Sequence, residues 1–268
     1  MIKNKTIDLL MSRKSIRNYK PDVPPKAVVD TVVRAGMQAP FASQACSVVL
    51  LRDRKRNAFN APLMFVVCAD IHRVELFMHE RGWMRKTNDL TMLLFALQDA
   101  SYMAENMVIA AESLGLGSCY IGHALMIAKT LKKNLKLPDG VFPFVMLAMG
   151  YPDENPPVRP RYPLDYVLFE GQYPKLEPKR VKAAMKSMDK YYPRVGYYRK
   201  LKAKIPIQDK KRKDTFTYDD YTWTEHISRK WGQWHSSPDE QLAQLKACGF
   251  RIAPARKAKA SVNRRRRK

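Results

Sequence analysis

The chain has 268 residues, 46% of them hydrophobic, with 49 Lys plus Arg against 25 Asp plus Glu and a formal net charge of +24. Nearly half the residues being apolar excludes a wholly disordered chain, and no run approaches the ~20 apolar residues of a membrane-spanning helix. The first residues lack a signal peptide's apolar stretch, so the sequence reads as a soluble, cytoplasmic protein. Cys46, Cys68, Cys119 and Cys248 form no CxxC pair. That excludes zinc-ribbon and thioredoxin-type sites and leaves four reduced thiols packed as small core residues.

In chain order, the helical spacing of Val28, Val29, Val32, Val33 and Gly36 predicts an amphipathic helix over 25–37. The β-rich runs 47–51 and 63–69 predict buried strands. Residues 87–114 are apolar on most faces, through Leu90, Leu93, Leu94, Leu97, Tyr102, Val108 and Ile109. This predicts a long, buried central helix that also lies at a subunit interface. Gly115 and Gly117 suit its C-cap. A strand over 118–121, a helix over 127–135 and a strand over 141–150 follow, the last running into a proline-rich exit. Charge is placed unevenly: 1–174 carry a net +6 and 175–268 a net +18. The chain therefore reads as a body of 1–174, a basic excursion of 175–253 and a disordered basic tail of 254–268. The excursion is expected to hold helices over 181–192, 222–231 and 238–248, with 194–214 loop-like.

Three separated segments carry candidate chemistry. Arg13, Lys14, Ser15 and Arg17 alternate cations with a hydroxyl, which suits a dianionic phosphate as well as it suits a basic helix end. Gly115 to Gly122 (GLGSCYIG) sets glycines on both sides of a short strand, where backbone could approach a planar ligand or where a helix cap simply leads into an edge strand. The spacing is not that of a dinucleotide fingerprint, because the motif closes a helix instead of opening one. Arg159-Pro160-Arg161 holds two guanidinium forks in a fixed relation, for a phosphate or ribityl chain or simply as a solvated turn.

The order of these segments resembles the FMN-dependent nitroreductase family, most of all the class of oxygen-insensitive nitroreductase A and the NADPH-flavin oxidoreductases. The stretches that carry it are RKSIRNY (13–19), QDASYMAENMVIAAESLGLGSCYIG (98–122), LKLPDGVFPFVMLAMGYPDENPPVRPRYPLD (135–165), TWTEHISRKW (222–231) and QLKACGF (244–250). The resemblance implies an α+β fold, a three-layer α-β-α sandwich with a mixed, mainly antiparallel central sheet. It also implies a homodimer with FMN at the interface.

By the same resemblance Arg13, Lys14, Ser15 and Arg17 would hold the ribityl phosphate and the pyrimidine edge of FMN. Gln44 would lie near the flavin, Tyr120, Ile121 and Gly122 would offer backbone near its reactive nitrogen, and Arg159 and Arg161 would close on the phosphate. NADPH or NADH would donate electrons by ping-pong hydride transfer to a nitroaromatic, a quinone or a flavin. Arg194 and Arg199, in a loop dense with basic residues, would meet the 2′-phosphate of NADPH. No catalytic side chain and no metal is assigned, the chemistry resting with the flavin. Two departures stand out: His123 replaces a usual glycine, and 52–62 is short, leaving Asn57 or Asn60 as the only amides there. The rival reading is a flavin-binding or nucleic-acid-associated protein without turnover, its contact made through the basic tail.

Overall fold

The computed structural model describes residues 2–235 and 237–252, so the expected tail of 254–268 lies outside the described residues. The chain divides into two compact units, residues 2–156 with 238–252 and residues 157–237. The boundary predicted after 174 therefore falls at 156/157. Residues 238–252 return to the body because Cys248 and Phe250 are core residues there, Phe250 meeting Phe142 edge-on at 6.3 Å.

The first unit is built on four strands, β1 (Cys46–Leu51), β2 (Leu63–Asp70), β3 (Gly117–Ile121) and β4 (Val141–Gly150), in the order β1-β2-β4-β3. All three strand pairings are antiparallel, and the parallel element is an isolated bridge between Ser15 and Ser118. All eight residues of β2 are buried, as a central strand covered on both faces requires. Leu63, Phe65 and Val67 face one layer with Val145, Leu147 and Met149; Met64, Val66, Cys68 and Ala148 face the other.

The helices of this unit are α1 (Lys5–Ser12), α2 (Lys26–Met37), α3 (His72–Glu80), α4 (Asp89–Ser113) and α5 (Ala128–Leu135). Val29 and Val32 of α2 and Met103, Met107 and Val108 of α4 fill one layer. Leu131 and Leu135 of α5 fill the other with Val66 and Cys68. Helices α2 and α4 touch at Gly36, where an added Cβ would sit 2.5 Å from Met107 Cγ, so the closest approach requires glycine. Helix α4 starts at an Asn88 cap that accepts from the Thr91 amide at 2.9 Å. It is not buried all round. Leu93, Ala100, Met103 and Met107 pack inward, while Leu90, Leu94, Phe95 and Tyr102 remain 47 to 53% exposed in a single chain.

The second unit contains α6 (Pro178–Asp189), α7 (Tyr191–Arg194), α8 (Tyr197–Leu201) and α9 (Trp223–Gln233); α10 (Pro238–Ala247) belongs to the first. Tyr192, Tyr198 and Tyr221 form its buried core with Phe216 and Trp223 alongside. The buried guanidinium of Arg229 pairs with Asp214 and Glu225 and lies over the rings of Phe216 and Tyr221. The loop-like reading of 194–214 missed α8, which begins after the left-handed Gly196. Among the described residues no helix is long and apolar enough to cross a membrane. All four cysteines are thiols; Cys68, Cys119 and Cys248 are buried and Cys46 half-buried. Burial pushes the Cys68 thiol up to about 12 and the Cys248 thiol up to about 11.

Candidate functional site

Residues 13–20 leave α1 and run along the edge of the sheet. The Ile16 amide donates to the Ser118 carbonyl at 2.8 Å, and Tyr19 bridges Pro152 beyond β4. The Lys20 amide donates to Tyr151 O and the Asp153 amide to Asn18 O, each at 2.9 Å. Tyr19 Oη donates to the carbonyls of Ile16 at 2.6 Å and Ala148 at 3.2 Å. Burial raises its pKa far above the ordinary phenol value, so it remains a donor. Gly117 makes the docking possible: an added Cβ would lie 2.5 Å from Ile16 Cγ1. The sequence suggested Gly117 as part of the helix cap. Gly115, at φ +78, takes that role, and Gly117 opens β3.

This docking brings Arg13, Lys14 and Ser15 beside Ser118 and Tyr120. The Arg13 guanidinium lies over the Tyr120 ring at 5.8 Å, and that of Arg17 over the Phe59 ring at 5.9 Å. Lys14 Nζ donates to Asn155 Oδ1. The Glu154 carboxylate accepts from the backbone amides of Arg17 and Asn18 instead of pairing with a cation. Among the described residues, no ion pair engages Arg13, Lys14 or Arg17. Three cations within one short segment that also carries a hydroxyl, none with a carboxylate within 4 Å among the described residues, suit a dianionic phosphate. Beyond the Ser15 bridge no strand covers β3 among the described residues, so Tyr120, Ile121 and the open Gly122 present backbone at a sheet edge. Tyr120 Oη donates to Glu105 Oε2 at 2.9 Å, and burial first and then that carboxylate raise its pKa.

Gln44 lies elsewhere. It takes φ 49 in a loop whose amides are gathered by the buried Asp99, which accepts from Ala42 at 2.7 Å, Ser43 at 3.1 Å and Ala45 at 2.9 Å. Gln44 lines a cavity of about 180 Å³ with Met37, Phe41, Arg73 and Met103. The loop leads into β1, and the Arg13 segment flanks β3 at the opposite edge. Three strand spacings of ~4.8 Å put at least ~14 Å between them.

Arg159, Arg161, Arg194 and Arg199 belong to the second unit. There Arg159 Nη2 donates to Tyr197 Oη at 2.5 Å and lies 4.7 Å over its ring. Arg161 Nη1 donates to the carbonyls of Arg159 and Pro160. Arg194 is exposed, while Arg199 pairs with Asp219. Of the two amides in 52–62, Asn57 is buried and donates to Leu51 O and Ala61 O, which closes its own loop; Asn60 is exposed. Residue-by-residue reading missed Tyr19, Glu154, Asn155 and Asp99. The acidic stretch after β4 was the available signal for Glu154 and Asn155.

The sequence model of the Nitroreductase family matches residues 10–58 and 52–151, more than half of the chain. The chain belongs to the Nitroreductase family. It is 33% identical over 186 residues to an FMN reductase (NADPH) of Bacillus subtilis, covering 63% of this chain and 75% of that one. It is 31% identical over 204 residues to an NADPH-flavin oxidoreductase of Vibrio harveyi, covering 70% and 83%. Nitroreductase A from Vibrio parahaemolyticus superposes with a TM-score of 0.75 at 25% identity, over 93% of this chain and 99% of that one. The three-layer architecture is therefore the nitroreductase fold.

The Gly117 contact yields a test. Gly117→Ala drives a methyl into Ile16, an overpacking expected to cost about 1–3 kcal/mol. Urea unfolding followed by circular dichroism should show the lower midpoint; an unchanged midpoint would mean that the segment is not held there.

Proposed function

We propose that this nitroreductase-family chain is an FMN-dependent NAD(P)H oxidoreductase acting in the cytoplasm on an electrophilic acceptor, a nitroaromatic, a quinone or a flavin. The carrying observation is the set of unneutralised cations, Arg13, Lys14 and Arg17, clipped with Ser15 to the open edge of β3. Arg13, Lys14 and Ser15 hold the flavin phosphate in this reading, and the backbone of Tyr120 to Gly122 lies against the ring. Bound FMN would supply the two-electron chemistry, accepting hydride from the nicotinamide and passing the electrons to the acceptor. The protein's part is to bind and orient, with the Arg13 fork fixed by the Tyr120 ring and Tyr120 fixed by Glu105. No observation among the described residues favours the rival reading without turnover.

The working form is a homodimer. The exposed Leu90, Leu94, Phe95 and Tyr102 form an apolar stripe on α4, which a second copy would cover. The separation of Gln44 from the Arg13 segment supports the same reading, since two chains could bring the two edges together.

Three outcomes test this. Arg13→Ala should weaken FMN binding by about 1.5–3 kcal/mol, the scale of a charged hydrogen bond; full flavin occupancy with an unchanged Kd would remove the clamp. Light scattering at micromolar concentration should return twice the 31.0 kDa chain mass, and a flavin-loaded monomer would contradict the dimer. NADPH should be preferred over NADH. Replacing Arg194 and Arg199 by Ala should raise the KM for NADPH roughly 3- to 10-fold with little change in kcat, because the 2′-phosphate is far from the transferred hydride. Arg194 should carry the larger share, since Asp219 already occupies Arg199. Equal efficiency with both donors would reject this role.

A further inference from the structure

The cationic segment has one carboxylate behind it that the proposed function leaves unused. Glu112 sits in the last turns of α4, seven residues after Glu105, so both project toward β3. Its Oε1 accepts from Ser118 Oγ at 3.4 Å, and Ser118 is the residue bridged to Ser15. Ser118 is fully buried and Glu112 half-buried. The groups that face Glu112 are Arg13 and Lys14 from the N-terminal segment, Ser118 from β3 and Glu105 from its own helix. Glu105 is already engaged by Tyr120 Oη. Neither Arg13 nor Lys14 comes within ion-pair distance of Glu112, so their charge acts through space.

We propose that Glu112 opposes the Arg13–Ser15 clamp from behind Ser118, an anion in the free protein that takes up a proton when a phosphate arrives. This rests on the flavin reading of that clamp. A dianionic phosphate on Arg13, Lys14 and Ser15 brings two further negative charges to the far side of the Ser15 bridge. Like charges at that range disfavour the ionised carboxyl. The proton comes from solvent, and no electrons move.

The position is suited to this. Burial raises the Glu112 carboxyl above the usual range, and Arg13 and the Ser118 hydroxyl pull it back down. A bound phosphate takes Arg13 for itself and weakens the largest of the groups that hold the carboxyl ionised. The pKa in the complex is then higher than in the free protein. Between those two values binding absorbs a proton, so affinity for a phosphate-bearing flavin is greater at the lower pH.

The test compares FMN with riboflavin, which lacks the phosphate, by flavin fluorescence quenching from pH 5 to 8 in the full-length protein and in Glu112→Gln. Both proteins meet the same FMN, so the ratio of their Kd values reads what the carboxyl of Glu112 adds, and riboflavin reports any effect that does not pass through the phosphate. Glu112→Gln should bind FMN about 3- to 10-fold tighter than the parent at pH 8, the advantage disappearing by pH 5, while riboflavin affinities stay equal at every pH. A ratio for FMN that does not change with pH would overturn the role of Glu112 and leave the clamp standing. No FMN binding by the parent protein would overturn the clamp and this role together. Should Glu112→Gln not fold, Ser118→Ala removes the hydroxyl that favours the ionised carboxyl. It should move the fall in FMN affinity to higher pH, and an unmoved profile would equally overturn the proposal.

Discussion

The docking of residues 15–20 onto the sheet is the constraint on which the candidate site depends. Loop backbone at a sheet edge must satisfy its amides and carbonyls, and here they are met on two sides: Ile16 pairs with Ser118 on β3, and Asn18 and Lys20 pair with the exit of β4. The Tyr19 hydroxyl closes the segment on Ile16 and Ala148. Gly117 leaves the space into which Ile16 packs. With the backbone fixed in this way, Arg13, Lys14 and Ser15 are held beside β3 at a defined place in the fold.

The charges follow from the same arrangement. Glu154 and Asn155 lie next to the cationic segment, yet Glu154 is consumed by two backbone amides and Asn155 is neutral. The cations keep their charge uncompensated at short range. Glu112 opposes them at a distance, behind Ser118. The second unit solves the opposite problem: its buried Arg229 is saturated by Asp214 and Glu225, and these pairings draw the Asp214 carboxyl well below the usual range. That guanidinium is structural cement, since breaking a buried pair by removing one partner leaves an uncompensated charge.

Much of the fold could be read from the sequence because its strongest elements are locally self-announcing. Strand β4 is an apolar run bounded by Gly140 and a proline-rich exit, and its limits agree with 141–150. Helix α2 follows its valine spacing. Helices α1 and α3 were not read from the sequence: each is short, and its apolar spacing (Ile7, Leu10, Met11; Val74, Phe77, Met78) spans little more than one turn. The return of 238–252 to the body was equally hidden, because it depends on Cys248 and Phe250 finding partners more than a hundred residues away. The tyrosines at 191, 192, 197 and 198 interleave with basic residues in sequence, but in the structure they pack on one another around Tyr221. Within the site, charge alone left the Arg13 segment open between a phosphate site and a basic helix end, and the family resemblance singled it out. Its partners Glu154 and Asn155 stand in an acidic stretch the sequence shows, but only the pairing of the segment with the end of β4 brings them near.

The central claim is that this chain holds a flavin and uses it for turnover. The most direct measurement is an anaerobic titration of the FMN-reconstituted protein with NADPH, followed by visible absorbance and then by addition of a nitroaromatic or quinone. The account predicts that the flavin bands bleach with about one equivalent of NADPH per bound FMN, since each is a two-electron carrier, and return when the acceptor is added. A protein that cannot be reconstituted with FMN, or whose bound flavin stays oxidised under excess NADPH and NADH, would contradict it.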